Sequence, residues 1–214
     1  MKDNEIYSKV FTWLCIGLLI TFVSAYALSL NIELLAKILS IGIIPIIILE
    51  LVIALMMGFL IKKMSPIMVR LCYIIYCIVT GITFSTIFMA YKMSSVISIF
   101  AICAIIFGGL AIYGYKTKKS LNNLGTILFF AIIGLIIGEL LNLFIFKSPT
   151  AEIGFSALGV LIFTGYIAYD VKSIEYLLPT LGEDKTAVYC AFQLYLDFIN
   201  LFIRLLELFG KRDD

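Results

Sequence analysis

The sequence predicts an all-α membrane protein, a seven-transmembrane-helix bundle, and three observations carry that prediction. Its 214 residues are 63% hydrophobic and 14% charged, with mean hydropathy +1.12. Globular domains run near 45–50% apolar and about 25% charged. The apolar residues collect into seven long runs, each close to the roughly 20 residues that span a hydrocarbon core. None alternates apolar and polar positions as barrel strands do, which leaves helices, whose backbones satisfy themselves in lipid.

The first run, 11–30, follows the polar opening MKDNEIYSKV. Ala25-Tyr26-Ala27 resembles a signal cleavage site. The run exceeds the usual 7–15-residue signal core, however, and Asp3 and Glu5 precede it, so it is a retained helix. The second, 35–61, is broken by Pro45 and carries Glu50 near its middle. The third, 67–91, starts after a turn at Ser65-Pro66, and the fourth is 94–115. The fifth, 124–146, ends at Lys147-Ser148-Pro149 and holds Gly134-Leu-Ile-Ile-Gly138, a small-xxx-small face for close helix packing. The sixth is 153–170 and the seventh 187–209. No polar stretch is long enough for another domain, so residues 1–214 form a single one.

Basic residues set the orientation. Lys2, Lys9, Lys62, Lys63, Arg70, Lys116, Lys118, Lys119, Lys172 and Lys185 fall at one set of ends, and only Lys37, Lys92 and Lys147 at the other. The N-terminus is therefore cytoplasmic, and an odd number of crossings places the C-terminus outside. Arg204, Lys211 and Arg212 oppose that last step, and a re-entrant final segment with both ends inside is the alternative.

Composition also excludes functions. With no histidine there is no imidazole triad, metal site or near-neutral switch. A net charge of +2 spread over helix ends is not the clustered basic face of a nucleic-acid binder. Cys15, Cys72, Cys77, Cys103 and Cys190 lie inside apolar runs without a CxxC pair and read as small buried hydrophobes.

Charges at bilayer depth are expensive, so each needs a reason. Four acids qualify: Glu50, Glu139, Asp170 at the end of the sixth run, and Asp197 in the seventh. Asp197, Asn200 and Arg204 share one helical face that should meet the bundle interior or a wet cavity. A short link makes the last two helices antiparallel, so Asp170 and Asp197 can face each other near the cytoplasmic half. Two carboxylates in contact cannot both ionise cheaply and come to share a proton. Once ionised, they suit a hard cation such as Ca²⁺. The alternative is a buried polar network in which Lys62 or Lys63 pairs with Asp170. Glu139, with only Asn142 nearby, reads as structural.

The seventh run reads Leu194-Tyr-Leu-Asp197-Phe-Ile-Asn200-Leu-Phe202, followed by Leu205-Leu206 and Phe209-Gly210. The sixth ends Ala168-Tyr169-Asp170, the fourth leads into Thr117-Lys-Lys-Ser-Leu121, and Gly81-Ile-Thr-Phe84 and Glu50 lie upstream. Together these resemble the transmembrane Bax inhibitor motif family, in its short bacterial form, over almost the whole chain. The resemblance implies seven helices with the last one central, and a pH-sensitive calcium leak channel in the bacterial cytoplasmic membrane. It also implies that Asp170 and Asp197 are the pH sensor and possible calcium ligands. A basic residue at the cytoplasmic end of the second helix pairs with the sixth-helix aspartate in the closed form. Here that region offers Lys62 and Lys63, which lack the two-pronged geometry of arginine. Lipid, Ca²⁺ and protons are then the partners of a monomer with no cofactor and no catalytic residue.

Two other functions compete. Buried carboxylates also serve proton-coupled cation transporters, although the paired repeat halves and broken helices of that class are not evident. Tyr169-Asp170 resembles the first motif of presenilin-like intramembrane aspartyl proteases. Their second motif, Gly-x-Gly-Asp, is Leu194-Tyr-Leu-Asp197 here, and no Pro-Ala-Leu tripeptide occurs.

Overall fold

A computed structural model describes residues 2–40 and 42–213, with side chains from residue 5 onward. The side chains of Lys2 and Asp3 used above lie outside the described residues. In chain order the helices are α1 (Lys2–Ser29), α2 (Ile32–Ser40), α3 (Ile43–Leu60) and α4 (Pro66–Ala90). They continue with α5 (Met93–Lys116), α6 (Asn122–Leu141) extended by a π turn (Asn142–Phe146), α7 (Pro149–Leu181) and α8 (Glu183–Phe209). Seven of them, all but α2, are long and apolar enough to cross a membrane, as predicted.

Several boundaries move for physical reasons. α1 begins well before residue 11, because Ile6, Val10 and Leu14 recur every four residues and are all buried. The second run divides at Gly42, whose φ of +99° belongs to the left-handed region that glycine enters without penalty. Pro45 does not break α3 but lies in its first turn, where a missing N–H costs nothing. Residues 32–40 become the separate helix α2, with Leu35 buried and Glu33 paired to Lys37 on the outside. The sixth run continues eleven residues past Asp170 to Leu181. Val171 to Leu178 contains no glycine or proline, so nothing in the backbone stops the helix there.

The described residues gather into two compact units interleaved along the chain. The first runs through α4 and takes in Ile174–Tyr195 and the chain from Arg212. Here α1 packs along α4. Gly17 admits the Tyr73 ring, and Gly81 admits the backbone and Ser24 side chain of α1. The Thr21 hydroxyl donates to the Cys77 carbonyl at 3.0 Å and meets the Tyr195 hydroxyl at 2.6 Å, tying α8 to both helices. Lys185 Nζ donates to the carbonyls of Ile61, Lys62 and Met64 at 3.5, 3.3 and 3.4 Å. It thereby serves orphan acceptors that follow α3. Tyr7 donates to Glu175, Lys9 pairs with Glu183, and Arg70 pairs with Asp184. These last two pairs are half exposed and contribute little stability, about 0–1 kcal/mol each.

The second unit comprises Met93–Ser173 and Leu196–Lys211. Leu128, Leu135 and Ile162 form its apolar centre between α6 and α7. The helices approach closely where Gly125 lies against Tyr169, Gly138 against Phe155 and Gly165 against Leu128. Of the predicted small-residue pair, Gly138 packs in this way, while Gly134 has no side-chain neighbour and points outward. The packing stripe is Leu128-Ile132-Leu135, and Gly134 lies off its edge. α8 packs here through Phe198, whose ring meets Phe100 and Phe107 edge-on, and whose carbonyl accepts from Cys103 Sγ.

Both ends of the chain are tied to other segments. The N-terminal turns of α1 bond to α7 and α8 around their connection, through Tyr7–Glu175 and Lys9–Glu183. The C-terminal tail instead joins the α4–α5 connection. Arg212 bridges Tyr91, the Asp213 N–H donates to the Ala90 carbonyl at 3.1 Å, and the Lys211 N–H donates to Ser95 Oγ at 3.0 Å. Between them α8 runs unbroken for 27 residues, about 40 Å. It is also the most enclosed span, with 72% of its apolar window buried.

Candidate functional site

Asp170 of α7 and Asp197 of α8 both fall in the second unit, 5% and 4% exposed. Their carboxyl groups are near enough to influence each other, and a hydrogen bond between them requires one to be protonated as the donor. Asp197 keeps a second oxygen, Oδ2, buried without a hydrogen-bond partner. The pairing follows from local packing. Close approach of Gly114 to the Ala168 backbone fixes the rotation of α7, and the Phe198 contacts fix that of α8. Tyr166, one turn before Asp170, lies near both carboxyls. Ser173 Oγ donates to the Asp170 carbonyl at 2.8 Å.

The remaining predicted residues separate from the pair. Asn200 Nδ2 donates to the Leu196 carbonyl at 2.7 Å, so its amide is engaged within its own helix. Glu50 lies beside Thr80 and Thr83 of α4, in the first unit. Lys62 and Lys63 are exposed and, among the described residues, neither makes an ion pair; Lys185 takes the backbone carbonyls at their turn.

Arg204 belongs to another cluster. Its Nη2 lies 2.5 Å from Glu139 Oε1 and its Nη1 3.3 Å from Glu207 Oε2, while Ser156 Oγ donates to Glu207 Oε2 at 2.6 Å. Glu139 therefore has a cationic partner that the linear sequence hid, 65 residues away (139 to 204) on another helix. Glu139, Arg204 and Glu207 line a cavity of about 640 Å³ in the second unit. The π turn forms part of its wall, where the Asn142 side chain closes on the Ser148 backbone through two hydrogen bonds. Lys147 follows with φ +50°. Among the described residues no three acidic or cysteine side chains converge as metal ligands.

Sequence reasoning also missed Tyr166, Ser156, Glu207 and Lys185. Only Glu207 carried a usable signal, standing three residues after Arg204 on the same helical face.

Seven helices long and apolar enough to cross a membrane, some carrying buried ionisable side chains, define a multi-pass membrane protein. A family model described as inhibitor of apoptosis-promoting Bax1 matches residues 3–214. A relative from Borreliella burgdorferi is 38% identical over 98% of this chain and 93% of its own. The inner membrane protein YbhL of Escherichia coli is 34% identical over 96% of this chain and 91% of its own. The chain belongs to the Bax inhibitor family.

Proposed function

We propose that the protein is a passive, pH-sensitive calcium leak of the bacterial cytoplasmic membrane, its N-terminus inside, gated by Asp170 and Asp197. The carrying observation is the burial of the two carboxyls against each other across α7 and α8. One proton between them holds these helices together. Losing it leaves two like charges side by side; such charges about 4 Å apart repel by on the order of 4 kcal/mol at an effective dielectric near 20. That is enough to shift a two-state equilibrium by about a thousandfold. Flux accordingly rises as pH rises and falls as protons return. The enclosure of α8 supports a central last helix around which the others rearrange. The permeant ion is the substrate, and at the pair it takes most of its six to eight oxygens from water. The protein acts as a monomer in lipid, without a cofactor.

The test is calcium flux into proteoliposomes across pH. Asp170→Asn and Asp197→Asn each remove the ionisable proton while keeping shape, and each is expected to give low flux that no longer responds to pH. A wild-type pH response in both variants overturns the gate. Calcium accumulation only under an imposed proton gradient replaces the leak with a proton-coupled transporter.

A further inference from the structure

Of the four acids placed at bilayer depth, Glu50 alone belongs neither to the aspartate pair nor to the Arg204 cluster. It meets α4 beside Thr80 and Thr83, and Tyr76 lies near the same carboxyl. Tyr76, Thr80 and Thr83 succeed one another at steps of four and three, so they share one face of α4. Thr80 is 4% exposed. Three buried oxygens here, Glu50 Oε1, Thr80 Oγ1 and Thr83 Oγ1, have no hydrogen-bond partner among the described residues. A threonine inside a helix can donate to a carbonyl one turn back, as Thr12 does to Ser8 and Thr86 to Thr83. Thr80 and Thr83 do not. All four residues belong to the first unit. A carboxylate at this depth needs a countercharge, and the apolar spans of its unit offer no basic side chain: residues 10–36, 38–61, 71–91 and 186–195 contain no lysine, arginine or histidine. Arg70 stands ten residues before Thr80 (70 to 80), about 15 Å along α4, and pairs with Asp184.

We propose that Glu50, Tyr76, Thr80 and Thr83 form a binding site for one monovalent metal cation between α3 and α4. The four side chains offer a carboxylate, a phenol and two alcohols, all of them the oxygen ligands that hard cations take. Charge decides the valence. A monovalent ion neutralises the single carboxylate, whereas a divalent one would leave an uncompensated positive charge at depth. A proton would also neutralise Glu50, but it adds only one donor to a place where three oxygens stand without a partner. A cation takes all three at once. The site is independent of the leak reading, because neither aspartate takes part and its test reads binding instead of flux.

The experiment measures Tm of the full chain in detergent while sodium or potassium chloride replaces choline chloride at constant ionic strength. A ligand that binds only the folded protein raises stability with the logarithm of its concentration. With at least one of the two ions, Tm should therefore climb by about 3–6 °C for each tenfold increase above the dissociation constant. Glu50→Gln keeps the shape and removes the charge, and its Tm should not respond. The isosteric Thr80→Val and Thr83→Val should each need about tenfold more salt for the same rise, the factor that one lost interaction with a charged group represents. Should Glu50→Gln fail to fold, these two variants decide, together with retention of radioactive sodium by the wild type. A wild-type Tm indifferent to both ions overturns the site and leaves Glu50 to a proton, as does a rise with calcium alone. A salt response undiminished in the glutamine variant, or in both valine variants, overturns it equally.

Discussion

Replacing Arg204 with leucine tests the packing of the second unit most directly. The guanidinium holds Glu139 at 2.5 Å and Glu207 at 3.3 Å, with side-chain exposures of 18%, 31% and 36%. Removing one partner of a fully buried pair costs about 3–5 kcal/mol, while an exposed pair is worth about 0–1 kcal/mol. With a third of each carboxylate in contact with solvent, Arg204→Leu should lie between these limits, near 2 kcal/mol. For a chain of this length that corresponds to a fall in Tm of about 4–8 °C, read by circular dichroism of the full protein in detergent. The double variant Arg204→Leu with Glu139→Gln removes the stranded charge and should recover about half the loss. A coupling between the two substitutions below about 0.5 kcal/mol, the level at which independent sites add, would refute the reasoning. The guanidinium would then not hold Glu139 in any energetic sense.

Two further perturbations probe the scaffold. A side chain at Gly114 would meet the Ala168 carbonyl at 2.5 Å and Val171 at 3.1 Å. Gly114→Val should therefore cost about 3 kcal/mol by overpacking, whereas Gly134→Ala, in open space, should leave Tm unchanged or slightly raised; equal effects would remove the α5–α7 contact from the account. Lys185→Met keeps the side chain's length but removes donors to three carbonyls. Hydrogen exchange at Lys63 and Met64 should then speed up about five- to tenfold, the equivalent of roughly 1 kcal/mol of lost protection; unchanged exchange would show that the amine does not hold that turn.

Helix number and class were legible because lipid imposes one rule on every residue of a span. Boundaries were legible only where a breaker stands, as at Ser65-Pro66 and at Lys147-Ser148-Pro149. The sixth run was read too short because Lys172 and Glu175 look like an exit from the membrane, although charge does not interrupt a helix. Asp170 and Asp197 could be brought together on paper because a short link joins their helices. The Arg204–Glu139 pair could not, since it depends on how α6 and α8 turn about their axes. Three-residue spacing exposed the stripe around Asp197, because a carboxylate, an amide and a guanidinium stand out in an apolar helix.

The last helix is at once the least apolar of the seven spans and the one most hidden from surroundings. A helix of that kind has little tendency to leave an insertion machine for bare lipid by itself. Beyond its last turn the tail binds the α4–α5 connection. Synthesis from the N-terminus suits this distribution: the more apolar spans are made first and can each partition into the bilayer by themselves, and the span least able to do so is made last.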